Sequence, residues 1–211
     1  NKLTAGEGIS IEVSEENETI SIDSSVLAKK SIYGDNAISL NRTEDTDIGQ
    51  NSIAYGTNNA ATTPDSIALG NGNTTGGYGG NASLGNKNTI TGSEGVIAAG
   101  YNNSISGNSG AVALGNTNIV KGSGFAAALG TANTVETSGG LAAGQGNTVN
   151  SGTAVGISNT VGSQSSAFGT GNTANQSNSV SVGMGNIADA YQTQAFGFAN
   201  QAHGRESSVL G

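Results

Sequence analysis

The residues able to do acid–base or metal chemistry are few, and their spacing argues against both. His203 is the only histidine, and beside Arg205 and Glu206 it has no nucleophile or second base set with it by a motif. A general base needs a partner and a sheltered site, so this group reads as an exposed connector. Asp45-Thr-Asp-Ile-Gly49, with Glu44 before it, starts like a calcium loop but lacks the further acidic ligands and the closing glutamate. It reads as part of a solvated acidic loop from Arg42 to Gln50. Gly70-Asn-Gly-Asn-Thr-Thr-Gly76 has the glycines of a phosphate loop without the lysine and helix that would follow. With no cysteine there is neither a thiolate metal site nor a disulfide framework. The expectation is a protein that is not an enzyme, with no catalytic, cofactor-binding or metal-binding residues and no cofactor.

The chemistry that does recur is that of the carboxamide. Asn59, Asn73, Asn88, Asn103, Asn118, Asn133, Asn147, Asn159, Asn172, Asn186 and Asn200 each stand three residues after a glycine. Those glycines, with one more at the end of the chain, are Gly56, Gly70, Gly85, Gly100, Gly115, Gly130, Gly144, Gly156, Gly169, Gly183, Gly197 and Gly211, at steps of 12 to 15 residues. So short a period, held over the whole stretch, predicts a β-solenoid of ~14-residue coils rather than a globular core. Stacked asparagines in such a roll bond to one another along the axis or to turn backbone, which makes the row structural.

The positions around each glycine assign the faces. Two residues before it stands Ala in nine cases, Ser in two and Val in one, a choice for smallness that only a tight interior imposes. One residue before it stand bulkier side chains, Leu69, Leu84, Leu114, Leu129, Val155, Phe168, Val182, Phe196 and Leu210 among them. Neighbours on a strand point to opposite faces, so the small row lines the roll and the bulky row points out of it. Five residues after the glycine a third row, including Ile90, Ile105, Val120 and Val135, faces the small row across the interior. The bulky row, reinforced by Ile53, Ile67, Ile97, Val112, Leu141 and Val180, makes an apolar face without charged gatekeepers, which predicts an obligate homo-oligomer.

Two outward features remain. A row four residues after the glycine, Thr74, Thr89, Ser104, Ile119, Thr134, Thr148, Thr160 and Thr173, is evenly spaced as on ice-binding solenoids, but only Thr89 has a second threonine two residues on, Thr91. The aromatics outside the packed rows, Tyr78, Tyr101, Phe125 and Tyr191, pack locally at coil corners or stack on sugars or protein receptors.

Composition narrows the classes. The chain has 211 residues with 34% apolar, 4% aromatic, 35 glycines and one proline, too little for a deep core of large side chains. A net charge of −8 with seven scattered Lys and Arg argues against nucleic acid. No apolar run reaches membrane-spanning length, so no membrane insertion by this stretch is expected. Ten of the fifteen acids precede residue 48. Residues 1–35 read as a β-hairpin and connector, with Ile9, Ile11, Val13, Ile20 and Ile22 on one face around the acidic turn Ser14 to Thr19. Such a hairpin is marginal alone and must lean on the first coil or on other chains. Leu3-Thr-Ala-Gly-Glu-Gly-Ile-Ser resembles a small β module of phage tail-fibre proteins. Asn36-Ala-Ile-Ser-Leu-Asn41 reads as an imperfect first repeat with Asn41 in the glycine position.

Asn51-Ser-Ile-Ala-Tyr-Gly56, Asp65-Ser-Ile-Ala-Leu-Gly70 and Asn178-Ser-Val-Ser-Val-Gly183 resemble the head repeat of YadA-type trimeric autotransporter adhesins, and the resemblance covers about residues 36–211. It implies a left-handed parallel β-roll, three of which pack about a common axis, with the bulky row as the trimer interface. The same repeats occur in phage fibres. The chain departs from the family in its glycine-rich inserts, such as Gly76-Gly-Tyr-Gly-Gly80, and in having no match to the neck, stalk or anchor after Gly204. The function so implied is that of an extracellular, receptor-binding fibre head on a bacterial cell surface or a virion tail, its partner a cell-surface glycan or protein. The alternative is a passive spacer or ice-binding solenoid.

Overall fold

The computed structural model describes residues 9–13, 18–22, 37–40, 48–92, 94–107, 109–122 and 124–211. The chain winds as a parallel β-solenoid with coils about 14 residues apart. Most coils give one five-residue strand to a 13-stranded sheet and one shorter strand to an 11-stranded sheet. Strand order in each sheet follows the sequence, so every coil pairs only with the coils before and after it.

The register stacks like on like: Ile97 lies beside Val112, Ala98 beside Ala113, Ala99 beside Leu114 and Gly100 beside Gly115. Within each long strand the second residue faces the interior, while the first, third and fifth face out. The fourth is the repeat glycine, held at φ between +102° and +125° from Gly56 to Gly197. A Cβ added at Gly115 would lie 2.0 Å from the carbonyl oxygen of Gly130, so conformation and space both require glycine there. Two residues later comes a left-handed turn position at φ near +55° that accepts Asn58, Lys87, Thr117 and Ala132 as well as glycine. This turn carries the chain from the long sheet to the short one and sets the asparagine at the start of the short strand.

The interior is filled from three rows besides the asparagines. Second-position residues such as Ala98, Ala113 and Ala128 are fully buried, and so are Ile90, Ile105, Val120, Val135 and Val149 opposite them. The third row was not anticipated from the pattern: the residue before most long strands, including Ser52, Ser66, Asn81, Val96, Ala111, Ser179 and Thr193, is buried as well, Gly152 being only half-buried. Toward both ends this row is polar and bonds to corner carbonyls, as where Ser52 donates to the Thr63 carbonyl at 2.7 Å and Thr193 to the Ala190 carbonyl at 2.6 Å, while the Ser207 hydroxyl is buried without a partner among the described residues. The apolar interior accordingly forms one long central cluster, from Ile90 to Ala174, and two small ones.

The connector expected from Arg42 to Gln50 is shorter than the sequence suggested. Ile48 is buried with Ala54, Ala61 and Ala68, and the Gly49 amide donates to the Ala61 carbonyl. An isoleucine gains more by filling the roll than by ending an acidic loop. Glu44, Asp45 and Asp47 lie outside the described residues. Strand Ile38–Leu40 pairs parallel with Ile53–Thr57, Leu40 beside Tyr55, which seats the imperfect first repeat in the long sheet. Asn36 and Asn41 are outside the described residues. Strands Ile9–Val13 and Glu18–Ile22 pair antiparallel, Ile9 opposite Ile22; the expected apolar face of Ile9, Ile11, Val13, Ile20 and Ile22 concerns side chains outside the described set.

Candidate functional site

The asparagine row is a continuous hydrogen-bonded ladder. Asn118 is typical: its Oδ1 accepts from the backbone N–H of Asn133 at 3.1 Å and from the Asn133 Nδ2 at 3.2 Å. Its own Nδ2 shares two hydrogens among the Asn103 Oδ1 at 3.0 Å, the Leu114 carbonyl at 3.1 Å and the Gly130 carbonyl at 2.8 Å. The carboxamide thus joins its own coil to the coils on either side. From Asn59 to Asn186 the row is buried, and each amide accepts the backbone N–H of the next asparagine and donates to backbone carbonyls of its own and the next coil. No donor is left over for a ligand.

The outer face of the long sheet is uncharged, and its third positions are apolar throughout. No Asp, Glu, Lys, Arg or His occupies a first, third or fifth position of the strands from Ile53–Thr57 to Ser208–Leu210. In the single chain Leu69, Leu84, Leu129, Val182 and Phe196 are half-buried, while Leu114, Val155, Phe168 and Leu210 are exposed.

Coil length varies at only one corner. The distance from each glycine to its asparagine and to the buried row after it is constant, so every insertion falls in the segment leading from a short strand to the next long one. Four successive long coils have glycine-rich corners there, among them Gly76-Gly-Tyr-Gly-Gly80 and Gly107 to Gly110, and Gly79, Glu94 and Ser109 bridge in parallel along it. Tyr78 and Phe125 stand at the two ends of this shelf, 80% and 79% exposed. The Phe125 ring covers Gly110, where a Cβ would come within 2.4 Å of it.

The other two aromatics sit elsewhere. Tyr101 is the last residue of the strand Ile97–Tyr101, on the sheet face and at the opposite end of the strands from the Tyr78 corner. Tyr191 shares the variable corner but lies under the Arg205 guanidinium, 5.0 Å from its ring centroid, in a cation–π contact within the chain. Coil stacking also gives His203 a partner that no motif announced: its Nδ1 is 2.8 Å from both carboxylate oxygens of Asp189, fourteen residues earlier. The pair lies open to solvent just past the ends of the strands Ile187–Ala188 and Gln201–Ala202, the other His203 ring nitrogen 3.1 Å from the Gln201 Oε1.

Among the described residues, no three His, Cys, Asp or Glu side chains gather as a metal site, and no helix is long and apolar enough to cross a membrane. Set against family models and curated proteins, the chain matches none.

Proposed function

We propose that this chain is the non-enzymatic head of a homotrimeric surface fibre that attaches its owner, a bacterium or a phage, to a cell-surface glycan or protein receptor outside the cell. The observation that carries this reading is the division of the roll's surface into a constant apolar face and one variable corner. The third positions run apolar along the long sheet for about 50 Å at β-strand spacing, a longer exposed strip than a monomer keeps in water. A copy of the same chain offers a strip of equal length, equal repeat and equal lack of charge. The number three and the choice of owner rest on the resemblance of the repeat to YadA-type heads. Insertions in solenoids gather on the side that binds, and here they carry the two most exposed aromatics of the roll, Tyr78 and Phe125, over a glycine floor that lets a ligand approach backbone. Weak contacts at that corner are multiplied when three copies engage one surface.

The test has two arms. Light scattering of the unmodified chain should return three times 20.6 kDa, and Leu114→Asp, which sets carboxylates into the strip, should reduce that mass. The labelled chain should bind a panel of bacterial and animal cells, and Tyr78→Ala with Phe125→Ala should abolish binding without changing mass or circular dichroism. A folded monomer overturns the assembly, and full binding by the double variant removes this corner as the receptor site.

A further inference from the structure

The apolar strip does not keep to the same positions along the roll. Its third-position column is apolar throughout, but the column beside it changes. In the seven strands from Ile53–Thr57 to Leu141–Gln145 the first position is apolar, as at Ile67, Ile97 and Val112, and the fifth is mostly polar, as at Asn71, Asn116 and Gln145. From Thr153–Ile157 onward the order inverts. First positions become Thr153, Ser166, Gln194 and Ser208, and fifth positions become Ile157, Met184 and Phe198. The departures are Tyr101, Thr170 and Val180. The strands stay in unbroken register through this point, Thr153 beside Leu141 and Ile157 beside Gln145, so the change lies in the surface and not in a slip of the sheet. Ile157, Met184 and Phe198 are 47%, 48% and 65% exposed in the single chain.

We propose that copies of this chain meet along a seam that changes columns at Thr153–Ile157: first and third positions in the N-terminal coils, third and fifth positions in the C-terminal ones. The proposal rests on the self-assembly reading above and adds to it the path of the contact. A partner lying straight along the first and third columns would desolvate Gln194 and Ser208 and leave Met184 and Phe198 in water, paying twice for the mismatch. A seam that follows the apolar side chains shifts by two residues, about 7 Å at the rise of a strand. The occupant is a second copy because the change of column is a feature of this chain, and another copy carries it at the same height. A rotation axis stays over a shifting band only if the rolls lean around it, the relation by which a drifting apolar stripe winds helices about each other. The rolls therefore cross obliquely instead of standing side by side.

The chain has no cysteine, so single thiols report cleanly. Four variants are compared in the assembled protein: Ile97→Cys and Asn116→Cys before the change of column, Met184→Cys and Gln194→Cys after it. All four positions are exposed in the single chain, so slow alkylation by a bulky maleimide reads coverage by a copy. Ile97→Cys and Met184→Cys should react about tenfold more slowly than Asn116→Cys and Gln194→Cys, with light scattering showing the same assembled mass for all. Protection of Ile97→Cys and Gln194→Cys with Met184→Cys free would show a straight seam and overturn the change of column while leaving self-assembly standing. Protection of all four would show a face covered whole, and also overturns it. Four fast thiols on a monomer would overturn the assembly itself and the seam with it.

Discussion

At the scale of the residue, the roll depends on side chains that do several jobs at once. Asn118 receives the N–H of Asn133, which has no other buried acceptor in the ladder, and supplies hydrogens to the carbonyls of Leu114 and Gly130. Leucine in its place strands that buried N–H and presses a larger side chain against an interior sized for the carboxamide. Asn118→Leu should therefore lower stability by about 3 kcal/mol, from an orphaned donor and from overpacking together. Chemical denaturation midpoints check this, and a midpoint equal to that of the parent would mean the row is not structural. The inward asparagines were legible from spacing alone, since alternation placed them with the buried row two positions on. Their sharing of one Nδ2 among three acceptors was not, because two of those acceptors belong to neighbouring coils.

At the scale of the element, the interior holds its volume by exchange between rows. A Cβ on Gly140, before the strand Leu141–Gln145, would come within 2.5 Å of the Val135 Cγ1 and 3.2 Å of the Val149 Cγ1. Glycine at that corner and valine across from it are thus one packing decision. Val135→Ala should lose on the order of 2 kcal/mol as a cavity, and Gly140→Ala should destabilise by crowding. Together they should cost less than their sum by about 1 kcal/mol or more, because the new methyl occupies the space the valine leaves. A double-mutant cycle measures that coupling, and strict additivity would show that the two positions do not share a space. No sequence pattern predicts this pair, which is five residues apart and joined only across the corner.

At the scale of the molecule, each coil meets only its two neighbours, so stability is a sum of coils and their interfaces. Removing one whole coil should then leave a folded roll, whereas removing half of one should not. Deleting residues 116–130 joins Gly115 to Thr131 and keeps an asparagine three residues after the glycine, with the next glycine fourteen residues on. Deleting residues 116–122 joins Gly115 to Ser123, places Phe125 at that site and breaks the ladder. Circular dichroism should show β-structure for the first variant and its loss, or a sharply lower melting point, for the second. Equal stability of both would mean that the coils do not need a common register.

By itself the sequence determined the period, the parallel stacking, the small and large rows of the interior and the inward asparagines. A translational repeat explains why: every coil puts the same position into the same surroundings, so twelve copies of each choice average out the local exceptions. What only the tertiary structure decided is which corners coincide. Tyr78 and Phe125 share a shelf while Tyr101 lies at the far end of the strands, His203 meets Asp189, and Ile48 leaves its acidic loop for the interior. These pairings depend on how coils of 12 to 15 residues come into register, and register is set by contacts between coils, which a position-by-position pattern within one coil does not contain.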